Sequence, residues 1–501
     1  MTFLKNHEKV TVIEDKDAAS LLSEKVRMRI DNLTIHFPEN LFYSEVLIMT
    51  VIKQIFRLAI PSIATFSSMT FAGLLILMIV GKLGAAALAV VGITNMLMYN
   101  LWALFSGIQG AINYLVAQNF GSNNMRVGNQ RMQIALIASF GISILVFFTS
   151  FVFPHMILKW MGANEIILML GAPHIQVRMI AFMFTIFNIA FYAYMRAIGD
   201  TKTPMIISLI CDFLVVAFTY VFCYGHFGFP KLGLQGAAWS MVAAEVVAFL
   251  LNLLVYFRFL NVTHLTRTWV RIEFSEVRLL MSESVKLSIT ELSNSLGMLV
   301  FTTCITRLGT AAVAANEIAL NILSFGYMPS NGFGAASTIG IGQEIGKGQP
   351  LNAKRFGLVT AYLGMGFMIL VSIVLFLFAS PLAKVYTSDS DVYSRTLSLI
   401  HLAAFMQLFS GATVIFAGGL RGVGDTTFMS RTSLLFNWIL FIPGTILLTQ
   451  VYHLGQVGAW AALCSLNILT GITNFWRYLN FRWISAKSKS IKMNLPTEID
   501  V

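Results

Sequence analysis

Arg196-Ala-Ile-Gly-Asp-Thr-Lys-Thr-Pro204 lies between two long apolar segments, and a similar stretch, Arg421-Gly-Val-Gly-Asp-Thr-Thr427, lies between two others. A constant offset in the numbering, 421 minus 196, relates the two stretches and also relates Ser208 to Ser433. We call it the repeat offset. The chain therefore contains an internal repeat. In a polytopic membrane protein, a repeat of this kind is typical of a transporter.

The repeat extends toward the N-terminus. Lys82-Leu-Gly-Ala-Ala86 precedes one long apolar segment, and Arg307-Leu-Gly-Thr-Ala311 precedes another at the repeat offset. Two homologous halves thus account for nearly the whole chain of 501 residues.

The composition is that of an integral membrane protein. Hydrophobic residues make up 57% of the chain, charged residues only 11%, and the mean hydropathy is +0.75. Crossing a bilayer takes about 20 apolar residues. Twelve segments are long enough, six in each half: 58–80, 86–117, 133–158, 174–195, 205–225, 236–257, 287–306, 311–341, 356–382, 396–420, 430–450 and 457–478.

The even number of spans in each half predicts the arrangement of the halves. Six spans return the chain to its starting side, so the two lobes should run parallel, related by an axis along the membrane normal, with a central cleft between them. We predict an all-α integral membrane protein with twelve transmembrane helices in two pseudo-symmetric six-helix lobes.

Charge placement predicts the orientation. Most of the 34 Lys and Arg residues fall in the termini and in every second loop. By the positive-inside rule, both termini are expected in the cytoplasm, with the protein in the cell inner membrane. The net charge of +11 then reflects orientation and gives no reason to expect a nucleic-acid partner.

The same patterns divide the chain into segments. They predict a polar cytoplasmic tail, an N-terminal lobe, an inter-lobe linker, a C-terminal lobe and a second cytoplasmic tail, at residues 1–48, 49–260, 261–286, 287–480 and 481–501. The first tail contains no apolar stretch typical of a signal peptide. The four cysteines lie in apolar spans without metal-ligand spacing, so we expect small buried side chains.

Five motifs resemble the multidrug and toxic compound extrusion (MATE) family, prokaryotic type: Lys82-Leu-Gly-Ala-Ala-Ala-Leu-Ala89, Val116-Ala-Gln-Asn-Phe-Gly-Ser-Asn123, Arg196-Ala-Ile-Gly-Asp-Thr-Lys-Thr-Pro-Met205, Gly342-Gln-Glu-Ile-Gly-Lys-Gly348 and Arg421-Gly-Val-Gly-Asp-Thr426. The resemblance implies an antiporter that exports amphipathic organic cations by alternating access, driven by H+ or Na+. It implies no cofactor and no enzymatic activity, and a two-lobe chain can work as a monomer.

The motif residues also have local structural roles. Asp200 or Thr201 can cap the helix that follows Gly199. Gly121 and Gly346 suit helix ends. We therefore interpret most motif residues as shaping helix ends and hinges.

Coupling to an ion gradient needs a group whose charge changes inside the protein. A buried carboxylate suits this role, because desolvation favours proton binding and a cation can also neutralise it. The candidates are Asp212, Glu291 and Glu245, with Glu317 near a helix end. The alternative for each is a structural hydrogen bond between helices.

Helical spacing supports two of these acids. Asp212 shares one face with Ser208 and Thr219, and Glu291 lies on a polar face with Asn294. The chain departs from the family pattern, however, because the first span has no ionisable residue and the tenth span has no acid. The seventh-span glutamate of some members would fall nearer Asn294.

Polar residues within spans predict the substrate site. We expect contributions from Asn95, Asn113, Asn188, Asn294 and Tyr192, with organic cations attracted to the acids and stacked on aromatic rings. Arg178, the one positive charge within a span, is interpreted as reaching toward the membrane interface. The alternative is that it receives an anionic substrate.

Other functions remain as alternatives. A lipid-linked precursor flippase or an organic-anion exporter would share the fold, but a flippase should carry several cations in its cleft. Scattered histidines without a catalytic motif argue against an enzyme. The sequence also lacks the filter-like motif of a channel.

Overall fold

The computed structural model describes residues 39–160, 165–387 and 389–480, which form helices joined by turns. Contacts divide the chain into two units, residues 1–51 and 52–501. The fold described below is that of the second unit, except that its first helix begins at Glu39, in the first unit. Most of the predicted first tail and all of the predicted second tail lie outside the described residues.

The first half contains helices of very different length. The longest begins within the predicted tail, at Glu39, and the helix that begins at Leu234 continues through a π-helical turn at Val255–Phe259. The helices are α1 (Glu39–Gly81), α2 (Ala85–Phe105), α3 (Gly107–Gly121), α4 (Met125–Trp160), α5 (Glu165–Ala197), α6 (Lys202–Tyr224), α7 (Leu234–Leu254) and α8 (Leu260–His264).

The second half repeats this order. Two π-helical segments, Phe436–Phe441 and Leu447–Val451, flank the short helix Ile442–Ile446. The helices are α9 (Phe274–Thr306), α10 (Thr310–Gly346), α11 (Pro350–Leu377), α12 (Ala379–Tyr386), α13 (Ser390–Val423), α14 (Thr426–Leu435), α15 (Ile442–Ile446) and α16 (Gly455–Leu479).

Ten helical segments among the described residues are long and apolar enough to cross a membrane. They match ten of the twelve predicted spans. The other two predicted spans, 287–306 and 311–341, lie in the long helices α9 and α10, which are not among these ten segments. Polar residues within α9, including Glu283 and Glu291, reduce its apolar character.

The repeated motif ends one helix and begins the next, as the sequence predicts. Gly199 and Gly424 both have positive φ angles, 87° and 79°, which side chains with a Cβ rarely adopt. The Asp200 carboxylate then accepts a hydrogen bond from the backbone amide of Thr203 at 3.0 Å. Helix capping by Asp200 is confirmed.

Each half has its own apolar core. In the first half, Tyr114, Tyr194 and Tyr256 are fully buried. In the second half, Phe301 and Trp460 are fully buried and pack with other apolar side chains.

Helix α9 joins the two halves. It begins at Phe274, so the predicted linker 261–286 is already helical over its last part, 274–286. Its buried residues Leu280 and Leu287 belong to the first-half core. Helix α9 thereby packs against the apolar core of the first half.

Candidate functional site

Asp212 lies on α6, half-buried, and faces α1. Its carboxylate accepts a hydrogen bond from the Ser68 hydroxyl at 2.5 Å. Ser208, one turn earlier on α6, is within reach of the same carboxylate. Neither neighbour is charged, so the Asp212 carboxylate is solvated by hydroxyl groups alone at these two contacts.

Glu245 lies on α7 and is held by an amide network. Its carboxylate accepts a hydrogen bond from the Asn188 side chain at 2.7 Å. Asn188 in turn accepts one from Asn252 at 2.9 Å. Tyr192 also interacts with Asn252. Asn188 and Asn252 are almost fully buried, so this network orders the interior of the first half.

Arg178 lies close to this network. Its guanidinium donates to the Asn95 side chain at 3.3 Å and interacts electrostatically with Glu245, as Asp212 does. We call this group the Asp212 cluster, comprising Ser68, Asn95, Arg178, Asn188, Asp212, Glu245 and Asn252. The cluster contains two carboxylates, Asp212 and Glu245, and one guanidinium, Arg178. One negative charge therefore has no counter-charge within the cluster, and a proton or a small cation can neutralise it.

Glu291 lies on α9 at the border between the halves. Its carboxylate is 3.8 Å from the Arg421 guanidinium, and both side chains are 29% exposed. The Tyr99 hydroxyl on α2 is close enough to interact electrostatically with Glu291. This ion pair is longer than a hydrogen bond, so the carboxylate remains available to another ligand.

Asn294 lies one turn after Glu291 but faces other partners. Its side-chain oxygen accepts hydrogen bonds from Ser433 at 3.1 Å and from Asn437 at 2.9 Å. The polar residues predicted on one face of α9 thus have different partners. Glu291 faces Arg421, whereas Asn294 bonds to Ser433 and Asn437. We call Tyr99, Glu291, Asn294, Arg421, Ser433 and Asn437 the Glu291 cluster.

The repeat offset shows that the two clusters are not equivalent. Asp212 and Ser68 correspond to Asn437 and Ser293 in the second half. The Ser293 hydroxyl donates to the backbone carbonyl of Ser433 at 3.5 Å. The Asn437 side chain instead donates to Asn294 and to the Ser433 carbonyl. Each half therefore carries an acid at a position where the other half has none.

A family model, MatE, matches residues 61–221 and again residues 287–447, which together exceed half of the chain. The chain belongs to the MATE family. The double match also agrees with the internal repeat, because each half contains one copy of the same family domain.

Bacterial relatives share part of the sequence. A probable multidrug resistance protein NorM of Thermotoga maritima is 27% identical over 58% of this chain and 63% of that protein. A protein of the same name from Bacillus cereus is 27% identical over 72% of this chain and 79% of that protein.

Solved structures share the fold. A transporter of the MOP superfamily from Pyrococcus furiosus has a TM-score of 0.78 at 20% identity, over 87% of this chain and 96% of that one. An outward-facing multidrug resistance MATE transporter gives the same score and identity over 87% and 97%.

The structure of this MATE protein brings together several predicted residues. Asp212, Glu245, Asn188, Tyr192 and Asn95 lie in or beside the first cluster, and Glu291 and Asn294 belong to the second. Their functional roles stay predictions.

Other predicted residues lie apart from the clusters. Asn113 is buried in α3, with a side-chain oxygen that has no hydrogen-bond partner among the described residues. Glu317 is exposed on α10. Thr219 bonds to Ser240 at 2.7 Å, away from the Asp212 carboxylate.

Sequence reasoning missed several cluster members. Ser68 and Asn252 are small polar residues in apolar helices, and only the packing of α1 on α6 and of α5 on α7 reveals their partners. The repeated motif in the sequence indicates a helix-end role for Arg421. Its equivalence to Arg196 was visible in the sequence, but its ion pair with Glu291 depends on tertiary structure. The described residues contain no group of three or more His, Cys, Asp or Glu that could hold a metal ion.

Proposed function

We propose that this protein is an antiporter that exports amphipathic organic cations and is driven by an inward flow of H+ or Na+. Twelve membrane-crossing helices in two parallel lobes would alternate access to a central site. Family membership and the multidrug resistance names of the bacterial relatives support this function. We further propose that the protein works as a monomer in the cell inner membrane, with both termini in the cytoplasm.

The observation that carries the proposal is the pair of half-buried acids, Asp212 and Glu291, inside long helices of a duplicated transporter fold. Intramembrane acids are costly and are usually functional. Asp212 has only hydroxyl neighbours at its two contacts, and Glu291 has an ion pair at 3.8 Å. Neutralisation by a proton or sodium ion is therefore chemically accessible to both.

The antiport cycle follows from charge competition. An organic cation and the coupling ion are both attracted to the same carboxylates, so occupancy by one disfavours the other. The coupling ion, entering from outside, would neutralise Asp212 or Glu291 and promote release of the exported cation. Tyr99 and Trp102 stack with ring centroids 5.7 Å apart beside Glu291, and they offer an aromatic surface for an organic cation.

Transport in liposomes tests the function. Purified protein should export a fluorescent organic cation faster under an imposed proton gradient or under a sodium gradient alone. Glu291→Gln and Asp212→Asn should each lower coupled efflux by about tenfold or more, since losing an interaction of about 1.4 kcal/mol corresponds to that factor. Glu317→Gln, an acid on the exposed face of α10, is the matched control and should transport as the parent protein does.

Two results would contradict the proposal. Normal coupled efflux in both acid variants would remove Asp212 and Glu291 from the mechanism. No response of the parent protein to either gradient would favour a flippase or an anion exporter that uses Arg178.

A further inference from the structure

Two equivalent hydrogen bonds join the halves at one end of the molecule. The Gln118 side chain, near the end of α3, donates to the Gly422 carbonyl at 2.9 Å. The Gln343 side chain, near the end of α10, donates to the Ala197 carbonyl at 2.9 Å. Both the donors and the acceptors are related by the repeat offset. We call this region, where α3 and α10 end, the closed end.

The backbones of α3 and α10 touch at the closed end. A Cβ atom on Gly121 would lie 2.0 Å from the Gln343 carbonyl oxygen, and a Cβ on Gly346 would lie 2.0 Å from that of Gln118. Only glycine permits this approach. The direct contact leaves no gap between these helix ends, so a solute could pass here only if the halves separate.

The two hydrogen-bonded carbonyls each follow an arginine of the repeated motif, and these arginines have different neighbours. Arg196 is 5% exposed and lies over the Phe66 ring, 5.5 Å from its centroid. Arg421 is 3.8 Å from the Glu291 carboxylate. Phe66 and Glu291 are themselves related by the repeat offset. An acid therefore faces the motif arginine in the second half, where the first half has an aromatic ring.

We propose that Arg421 is a positioning residue that transmits the charge state of Glu291 to the Gln118–Gly422 contact. This inference rests on the proposed antiport function. While Glu291 is charged, its attraction holds Arg421 and the adjacent Gly422 carbonyl in place, and the closed end stays shut. The electrostatic neighbours of Glu291 are Arg421 on α13 and Tyr99 on α2.

Neutralising Glu291 removes the counter-charge of Arg421. The Arg421 Nε atom is already buried without a hydrogen-bond partner among the described residues. A partly buried guanidinium without a counter-charge is unfavourable, so it moves toward water and carries the Gly422 carbonyl with it. Binding of the coupling ion at Glu291 thus opens the closed end, which the proposed orientation places on the cytoplasmic side.

Distance measurements on the full-length protein in lipid nanodiscs test this inference. Spin labels go on Asn124→Cys and Gln349→Cys, two exposed, offset-related positions just past Gly121 and Gly346, with the native cysteines replaced. In the parent protein, the coupling ion should increase the number of molecules with a long label-to-label distance, relative to those with a short one, by about tenfold. A coupling effect of that size is typical of two linked sites. Glu291→Gln should show the long distances without the ion.

Substitutions of the two motif arginines, Arg421 and Arg196, test whether Arg421 transmits the response. Arg421→Gln should reduce the response to less than about twofold, and Arg421→Lys should restore part of it because the charge remains. Arg196→Gln, at the equivalent position over Phe66, should keep the full response.

Ion-driven transport is measured in the same preparations. Two results would show that this inference is wrong while the proposed function stands, provided that the parent protein shows coupled transport. In the first, Arg421→Gln keeps the distance response of the parent protein. In the second, Arg196→Gln loses as much of that response as Arg421→Gln does. If the parent protein shows neither coupled transport nor a distance response, the proposed function fails and this inference fails with it.

Discussion

At the scale of single residues, Asn188 is the link on which the first-half network depends. Its side chain donates to Glu245 and accepts from Asn252, and it is 2% exposed. Asn188→Leu leaves both partners buried without that bond, so we expect a loss of about 2–3 kcal/mol of stability. Thermal unfolding of the purified protein measures it. Asn321→Leu is the control, because the Asn321 side chain bonds to the Glu317 carbonyl one turn earlier in its own helix, and it should change stability by less than about 0.5 kcal/mol; equal losses would argue against the network.

At the scale of helices, the contact of α3 with α10 is controlled by two glycines. Gly121→Ala or Gly346→Ala places a methyl group 2.0 Å from a backbone oxygen, so the helix ends must separate. Such overpacking costs about 1–3 kcal/mol, which should shift the distances between labels on Asn124 and Gln349 toward the open form by about tenfold.

The repeat supplies matched controls for this prediction. Gly141 and Gly366 are related by the same offset, and a Cβ atom at either would meet nothing within 4 Å. Gly141→Ala and Gly366→Ala should leave the distances unchanged. A shift of the same size in these controls would show that the response is not specific to the closed end.

At the scale of the whole molecule, the two halves share a fold but not their charges. Moving the Asp212 charge to the equivalent position, in Asp212→Asn with Asn437→Asp, should not restore coupled efflux. Position 437 faces Asn294 and Ser433, and the counterpart of Glu245 is Thr470. We expect efflux to stay about tenfold below the parent level, measured in liposomes. Restored efflux would show that either half can hold the coupling acid.

The sequence predicted most of the fold because its signals are local or periodic. Long apolar segments indicated the membrane helices, and the constant repeat offset related the two halves. Gly199 and Asp200 indicated a helix end and a cap, which depend on neighbouring residues only. The boundaries were less accurate, as α9 shows, since polar residues inside a helix resemble a loop in composition.

The sequence by itself determined the duplicated helical membrane architecture, the family and the short set of acids within the spans. Tertiary structure alone decided which partner each acid has. Ser68 on α1 meets Asp212 on α6, and Arg421 on α13 meets Glu291 on α9. Periodicity shows which side of a helix is polar, but the partner depends on how helices distant in the chain pack together. For that reason the link from Glu291 to the closed end became visible only in the folded molecule.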